Sequence, residues 1–254
     1  MTEPAAVPQM EPEAPAGLSQ TQRVVNTFVA PGKTFADIRR SASWWVPFVL
    51  AALLGGIFSY AVVQKVGYSR LVDGVISQNQ SLQDSLNTSP PAAAAQIRGA
   101  ILKQFQYTMF VYPVIVFLVA LICAGVLMAT VNFGMGGEIR FSQVLAIWFY
   151  ATLPLSIAGI LTILSLYAGM VPDQFNIQNP IGTNIGYYLS SDSPKWLVGL
   201  LSSVDVLSIW CACLLAIGIA VVGRIKRGAA AVVVFGWWIF YVLVFKVALA
   251  ALRG

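Results

Sequence analysis

The chain of 254 residues has no histidine, only three cysteines, and charged residues at 10% of its length, against about 25% in ordinary soluble domains. Without histidine there is no imidazole metal site, no histidine-based catalytic triad and no histidine pH switch. Cys123, Cys211 and Cys213 all lie in apolar runs and form neither a Cys-x-x-Cys pair nor a disulfide framework. Cys211 and Cys213 would project about 200° apart on a helix, so they read as packing residues and not as a soft-metal site. The glycine-rich stretch 132–142, "NFGMGGEIRFS", lacks the preceding strand and the Lys-Ser/Thr of a phosphate-binding loop, and reads as a flexible turn. No metal or other cofactor is expected. Lysine and arginine exceed the acids to give a net charge of +5. These basic residues sit singly at segment ends, with no cluster interleaved with aromatics, so they suit membrane-edge anchoring and not nucleic acid.

What the chain has in excess is apolar sequence, at 58% hydrophobic residues against about 45–50% in soluble domains. One globular core cannot hide that surplus, so the expected fold class is all-α and polytopic. Five apolar runs, near 44–66, 107–131, 143–169, 203–223 and 229–252, are each long enough for a hydrocarbon layer of about 30 Å. Pro47 falls in the first turn of the first run, where its missing N–H costs little. Pro113 and Pro154 lie deeper and should kink their helices.

Outside the spans, residues 1–22 are rich in Pro, Ala and Glu without a basic residue, which suits a disordered tail and not a signal peptide. Residues 23–43 read as cytoplasmic surface helices. Val24, Val25, Phe28 and Val29 share one face for the membrane surface, Pro31 and Gly32 break that helix, and Thr34 with Asp37 has capping-box spacing for a second turn. Arg39, Arg40, Trp44 and Trp45 then mark the headgroup layer. Between the first two runs, Leu71, Val75, Leu82 and Leu86 predict one amphipathic helix. Ile97, Ile101 and Phe105 predict a second that runs into the second span. Asn79 and Asn87 each head an N-x-[ST] triplet, which matters only on the lumenal side of a eukaryotic membrane. Ser193 and Pro194 predict a helix start near 194, with Trp196 at the interface. Arg23, Lys33, Arg39, Arg40, Arg140, Arg224, Lys226 and Arg227 fall on one side of the five spans. Their density there places the N-terminus in the cytoplasm and the C-terminus outside.

Three stretches, "PGKTFADI…WWVPFVLAALLGG", "GGEIRFSQVLAIWFYATLP" and "IGTNIGYYLSSDSPKWLVGLLSSVDVLSIW", together resemble the Yip domain family. These are the Ypt/Rab-interacting proteins, with five helices and a cytoplasmic N-terminus. The resemblance covers about residues 31–252 and rests on the order and spacing of Pro31 and Phe35, Tyr150 and Pro154, and Asp205 and Trp210. It implies a membrane scaffold acting in trafficking-like membrane organisation. The Ala/Pro-rich tail and compact loops are more similar to the prokaryotic branch, implying a bacterial cytoplasmic membrane. Partners on this reading are the lipid bilayer, a protein at the cytoplasmic N-terminal region, and a second copy of the chain.

Beside the scaffold stand two other classes. A transporter would use polar groups within the spans: Thr152, Ser156, Thr162, Ser165, Asp205 and Lys246. A membrane enzyme lacks a histidine base or a carboxylate cluster. Asp205 and Lys246 lie almost equally far from the turn at Lys226, so antiparallel helices should bring them to one depth as an intramembrane ion pair. The alternative has Lys246 snorkelling toward Arg253 while Asp205 caps backbone. Ser208, Ala212, Ala216 and Ala220 recur every four residues, a small stripe expected to face another helix and not lipid.

Overall fold

The computed structural model describes residues 17–172, 175–190, 193–248 and 250–251. They are helical, with five helices long and apolar enough to cross a membrane: Trp45–Lys65, Pro91–Gly134, Phe141–Tyr167, Val206–Gly223 and Arg227–Ala248. The chain is therefore an all-α, multi-pass membrane protein, as its apolar runs require.

Two short helices precede the spans, α1 (Gln20–Val29) and α2 (Pro31–Ile38). Ser19 caps α1 reciprocally: its Oγ accepts from the Gln22 N–H at 3.2 Å, and the Gln22 Oε1 accepts from the Ser19 N–H at 2.9 Å. The helix thus begins inside the stretch expected to be a tail, while residues 1–16 lie outside the described residues. Pro31 opens α2 at its first position, where the fixed φ suits a helix start. Ala30 before it is non-helical, at φ −150° and ψ 60°, so the first helix breaks here as expected.

The first span is α3 (Trp45–Lys65). The connection that follows holds two helices where one was expected, α4 (Tyr68–Ser77) and α5 (Gln80–Thr88). Asn79 divides them, its side chain accepting from the Leu82 N–H at 3.1 Å, a local bond that outcompetes continuation. The long α6 (Pro91–Ala129) carries the second span, absorbs Pro113 without a break, and ends in a π-helical turn at Thr130–Gly134. The glycine-rich loop after it is clamped. Asn132 Nδ2 donates to the Ile139 carbonyl and Oδ1 accepts from the Ile139 N–H, each at 3.0 Å. A Cβ on Gly137 would meet Val131 at 2.6 Å and the Gly223 carbonyl at 3.2 Å. Glycine serves close approach here, which corrects the expected flexible turn.

The third span is two helices, α7 (Phe141–Ala151) and α8 (Leu155–Tyr167), parted at Thr152–Pro154. The expected long fourth helix from 194 is also divided, into α9 (Lys195–Ser203) and α10 (Val206–Gly223). Last comes α11 (Arg227–Tyr241), whose end continues as a π-helical stretch, Val242–Ala248. Residues 249 and 252–254, including Arg253, lie outside the described residues.

α10 is the central helix. Leu207, Leu214, Leu215, Ile219 and Val222 are buried along with Ala212, Ala216 and Ala220, while Ser208 is half-buried. The small residues are thus part of a helix enclosed on most sides, with α2, α7, α8 and α11 packed around it. One core joins α2, α7, α10 and α11 with α6. A smaller one at the opposite end of α3 gathers Val62, Val66, Leu71 and Leu166. The flanks of α3, α6 and α8 instead expose Val49, Leu53, Ile57, Phe110, Leu118, Ile122, Ile160 and Leu164, as lipid-facing helices do.

Candidate functional site

The strongest concentration of buried polarity lies under the α1–α2 hairpin. Among the described residues four polar or charged ones are buried, Arg23, Thr27, Thr34 and Thr162, and three of them belong to this hairpin. Arg23 is 3% exposed and its partner Asp37 is 10% exposed. Arg23 Nε donates to Asp37 Oδ2 at 2.7 Å and Nη1 to the Ser41 carbonyl at 2.9 Å. The carbonyl of Arg23 accepts from the hydroxyls of Thr27 at 2.8 Å and Thr34 at 2.9 Å. Asp37 also lies 3.5 Å from Arg40 Nη2. The pair is hydrogen-bonded at both ends, the condition under which a buried charge is tolerable.

These bonds overturn two expectations. Thr34 and Asp37 do not form a capping box, because both side chains turn toward Arg23 on the neighbouring helix. The apolar face of the hairpin does not lie open for a membrane surface. Phe35 and Ile38 are fully buried, and Val24 and Phe28 pack on the core, leaving Val25 and Val29 exposed.

The six resemblance positions converge on the same task. Pro31 starts α2. Phe35 sits where a Cβ on Gly218 would lie 3.1 Å from its ring, so the α10 glycine provides its seat. Trp210, further along α10, meets Phe28 edge-on with centroids 5.8 Å apart. Tyr150 is fully buried in α7, and its hydroxyl donates to Gln20 Oε1 of α1 at 2.9 Å. Gln20 Nε2 in turn donates to Ser43 Oγ at 3.2 Å. Pro154 ends the α7–α8 break as the residue before α8. Asp205 is the N-cap of α10, its Oδ1 accepting from the Ser208 N–H at 2.8 Å. Together they fasten the hairpin to the bundle and set the ends of helices.

Asp205 and Lys246 are not brought together. Asp205 stands in the break between α9 and α10, which the 183–184 backbone closes: Val206 N–H donates to the Thr183 carbonyl at 3.1 Å, and Asn184 bridges to Asp205. Lys246 is exposed in the π-helical stretch, its backbone carbonyl pressed on α9, where a Cβ on Gly199 would meet it at 2.5 Å. Among the described residues, the ion pairs are Arg23–Asp37, Arg40–Asp37 and Arg98–Asp73. The expected pair fails because α10 begins at Asp205, and the free N–H groups of its first turn claim the carboxylate. Of the span hydroxyls, Thr152 donates to the Trp148 carbonyl at 2.9 Å and Thr162 to the Ala158 carbonyl at 2.7 Å. Both serve their own helix backbone.

Arg23 stands in an apolar-periodic helix among the basic residues of one side of the spans, so its charge alone gives no sign of its burial. A signal existed: Asp37 is the only acid between Glu13 and Asp73, and Arg23 is the one charged residue of α1, which makes the two a candidate pair across the hairpin.

Residues 25–248 match the Yip1 domain. The chain belongs to the Yip1 domain family. Neither a curated protein nor a solved structure matches it. The matched span begins inside α1 and ends with the π-helical stretch of the fifth span. The amino-terminal hairpin is thus an integral part of this Yip1 domain, as its burial against α10 requires.

Proposed function

We propose that this Yip1-domain protein is a non-catalytic membrane scaffold or adaptor, with its N-terminus in the cytoplasm and a partner-binding surface at the amino-terminal hairpin. One observation carries this reading. All six family-motif positions are engaged in holding helices to one another or in ending them. Side chains used in this way preserve a shape. The four buried polar residues make the same point, since each is bonded within the fold, and no buried side-chain nitrogen or oxygen among the described residues lacks a partner. The family and the basic turns support this orientation, and the Ala/Pro-rich tail and compact loops support a bacterial cytoplasmic membrane. Self-association and a protein partner are the expected assemblies.

Transport is the second reading, and the α9–α10 break favours it, because discontinuous helices commonly frame substrate sites in carriers. Liposomes holding the purified protein separate the two. The scaffold reading expects ion and small-solute leak equal to that of empty liposomes. It also expects a photo-crosslinker at exposed Lys33 to trap one discrete protein species in native membranes. A leak that Asp205→Asn abolishes would decide for transport.

A further inference from the structure

We propose that the bilayer meets this protein at the level of Trp44 and Phe149, so that the α1–α2 hairpin and the first two turns of α7 stand in water as a rigid platform. The five apolar helices do not share one length, and α3 has no length to spare. Its 21 residues span about 31 Å, against a hydrocarbon layer of about 30 Å. The bilayer must therefore fit between the two ends of α3.

Both ends are tied to the α7–α8 pair. At one end Trp44 stacks on Phe149 with centroids 6.0 Å apart, and Phe48 meets the same ring at 5.3 Å. At the other, Lys65 Nζ lies 4.2 Å from the centre of the Tyr167 ring. From Phe149 to Tyr167 the chain rises about 27 Å, again one bilayer. That leaves Phe141–Trp148, a further rise of about 12 Å, beyond the hydrocarbon. Ile147 in that overhang touches the site of a Cβ on Gly218, as Phe35 does. The last turns of α10 therefore lie at the same level, beside the hairpin.

The chemistry of the surfaces agrees with this boundary. Within it, α3 and α8 expose Val49, Leu53, Ile57, Ile160 and Leu161. Beyond it, the apolar residues Val144, Ala146, Ile147, Leu215 and Ile219 are buried by protein. The hairpin that covers them turns Ser19, Thr21, Gln22, Lys33, Arg39 and Arg40 outward, with Val25 and Val29 as its exposed large apolar side chains. Lipid needs no such cover, whereas water does. Arg39, Arg40, Trp44 and Trp45 mark the join, a basic and aromatic girdle at the headgroups.

The placement holds for a scaffold or a transporter alike, and the liposome leak decides between those two whatever its outcome; a hairpin in lipid would remove only the partner-binding surface proposed on it. Spin labels at single cysteines, with Cys123, Cys211 and Cys213 replaced by alanine, test it in phosphatidylcholine vesicles. Labels at Val25, Val29 and Ser142 should collide more with a water-soluble nickel chelate than with oxygen, and labels at Leu53 and Leu161 should show the reverse. Oxygen-dominated collisions at Val25 and Val29 would place the hairpin in lipid and overturn the proposal. If a labelled variant fails to fold, the unmodified chain in nanodiscs supplies the reading. Lys33 should then react with a water-soluble acylating reagent as readily as Lys226, and protection of Lys33 alone would overturn it.

Discussion

Arg23–Asp37 and Asp205–Lys246 are two opposite-charge pairs of similar appeal, and only the first exists. Arg23 and Asp37 sit on short neighbouring helices, where a planar guanidinium can bond a carboxylate and a carbonyl together. No helix end competes for either group. Asp205 and Lys246 have equal distances from the turn at Lys226, yet each meets a local alternative first. The carboxylate caps α10, and the ammonium stands in the last turn of a helix, where the dipole favours a cation. Equal depth is a permissive condition; an ion pair forms only where no nearer partner satisfies the charge.

Breaking the hairpin pair should have the largest effect. Asp37→Ala leaves the buried Arg23 guanidinium without its carboxylate and should lower unfolding stability in detergent by about 3–5 kcal/mol, while Arg23→Ala should cost less, because Asp37 keeps Arg40 at 3.5 Å. Replacing both with apolar residues should restore much of the loss. Equal and additive losses in that cycle would show that the two groups do not act as a pair.

Packing of the hairpin comes next. Phe35→Ala empties a fully buried site and should cost about 3–5 kcal/mol. Gly218→Ala places a methyl against the same ring and Ile147 and should cost about 1–3 kcal/mol. Thermal midpoints of the two variants report both, and an unchanged midpoint for Gly218→Ala would mean the seat is loose.

At Asp205 the comparison becomes sharper. Asp205→Ala should cost about 0.5–2 kcal/mol, while Asp205→Asn should cost far less, because asparagine caps a helix as well as aspartate. A loss with asparagine as large as with alanine would mean that charge, and hence an ionic partner, matters there.

The smallest effect belongs to Lys246. Lys246→Met should leave stability within about 0.5 kcal/mol, and its coupling to Asp205→Asn in a double-mutant cycle should fall inside the same error. Coupling clearly above that range would restore the ion pair that the fold does not show.

Much of the architecture was legible before any coordinates. The five apolar runs, the second surface helix merging into α6, and the six spaced motif positions could all be read from residue order, because hydropathy and local spacing are properties of neighbours in sequence. The boundaries that slipped share one cause. At Asn79 and Asp205 a single side chain bonds the backbone N–H of the third residue after it, and an apolar pattern that continues through such a point gives no sign of the break. The hairpin slipped for a different reason. Val24 and Phe28 look the same whether lipid or protein covers them.

The sequence by itself determined that this is a five-span helical membrane protein of the Yip1 family, since an apolar surplus this large demands lipid and since motif spacing survives without coordinates. Only the tertiary structure decided that α10 is the central helix and that Phe35 and Tyr150 lock the amino-terminal hairpin onto the bundle. It also decided which charges meet. An ion pair, a buried ring and a helix cap each depend on which of several nearby partners arrives at bonding distance, and that competition is settled by packing among helices far apart in the chain.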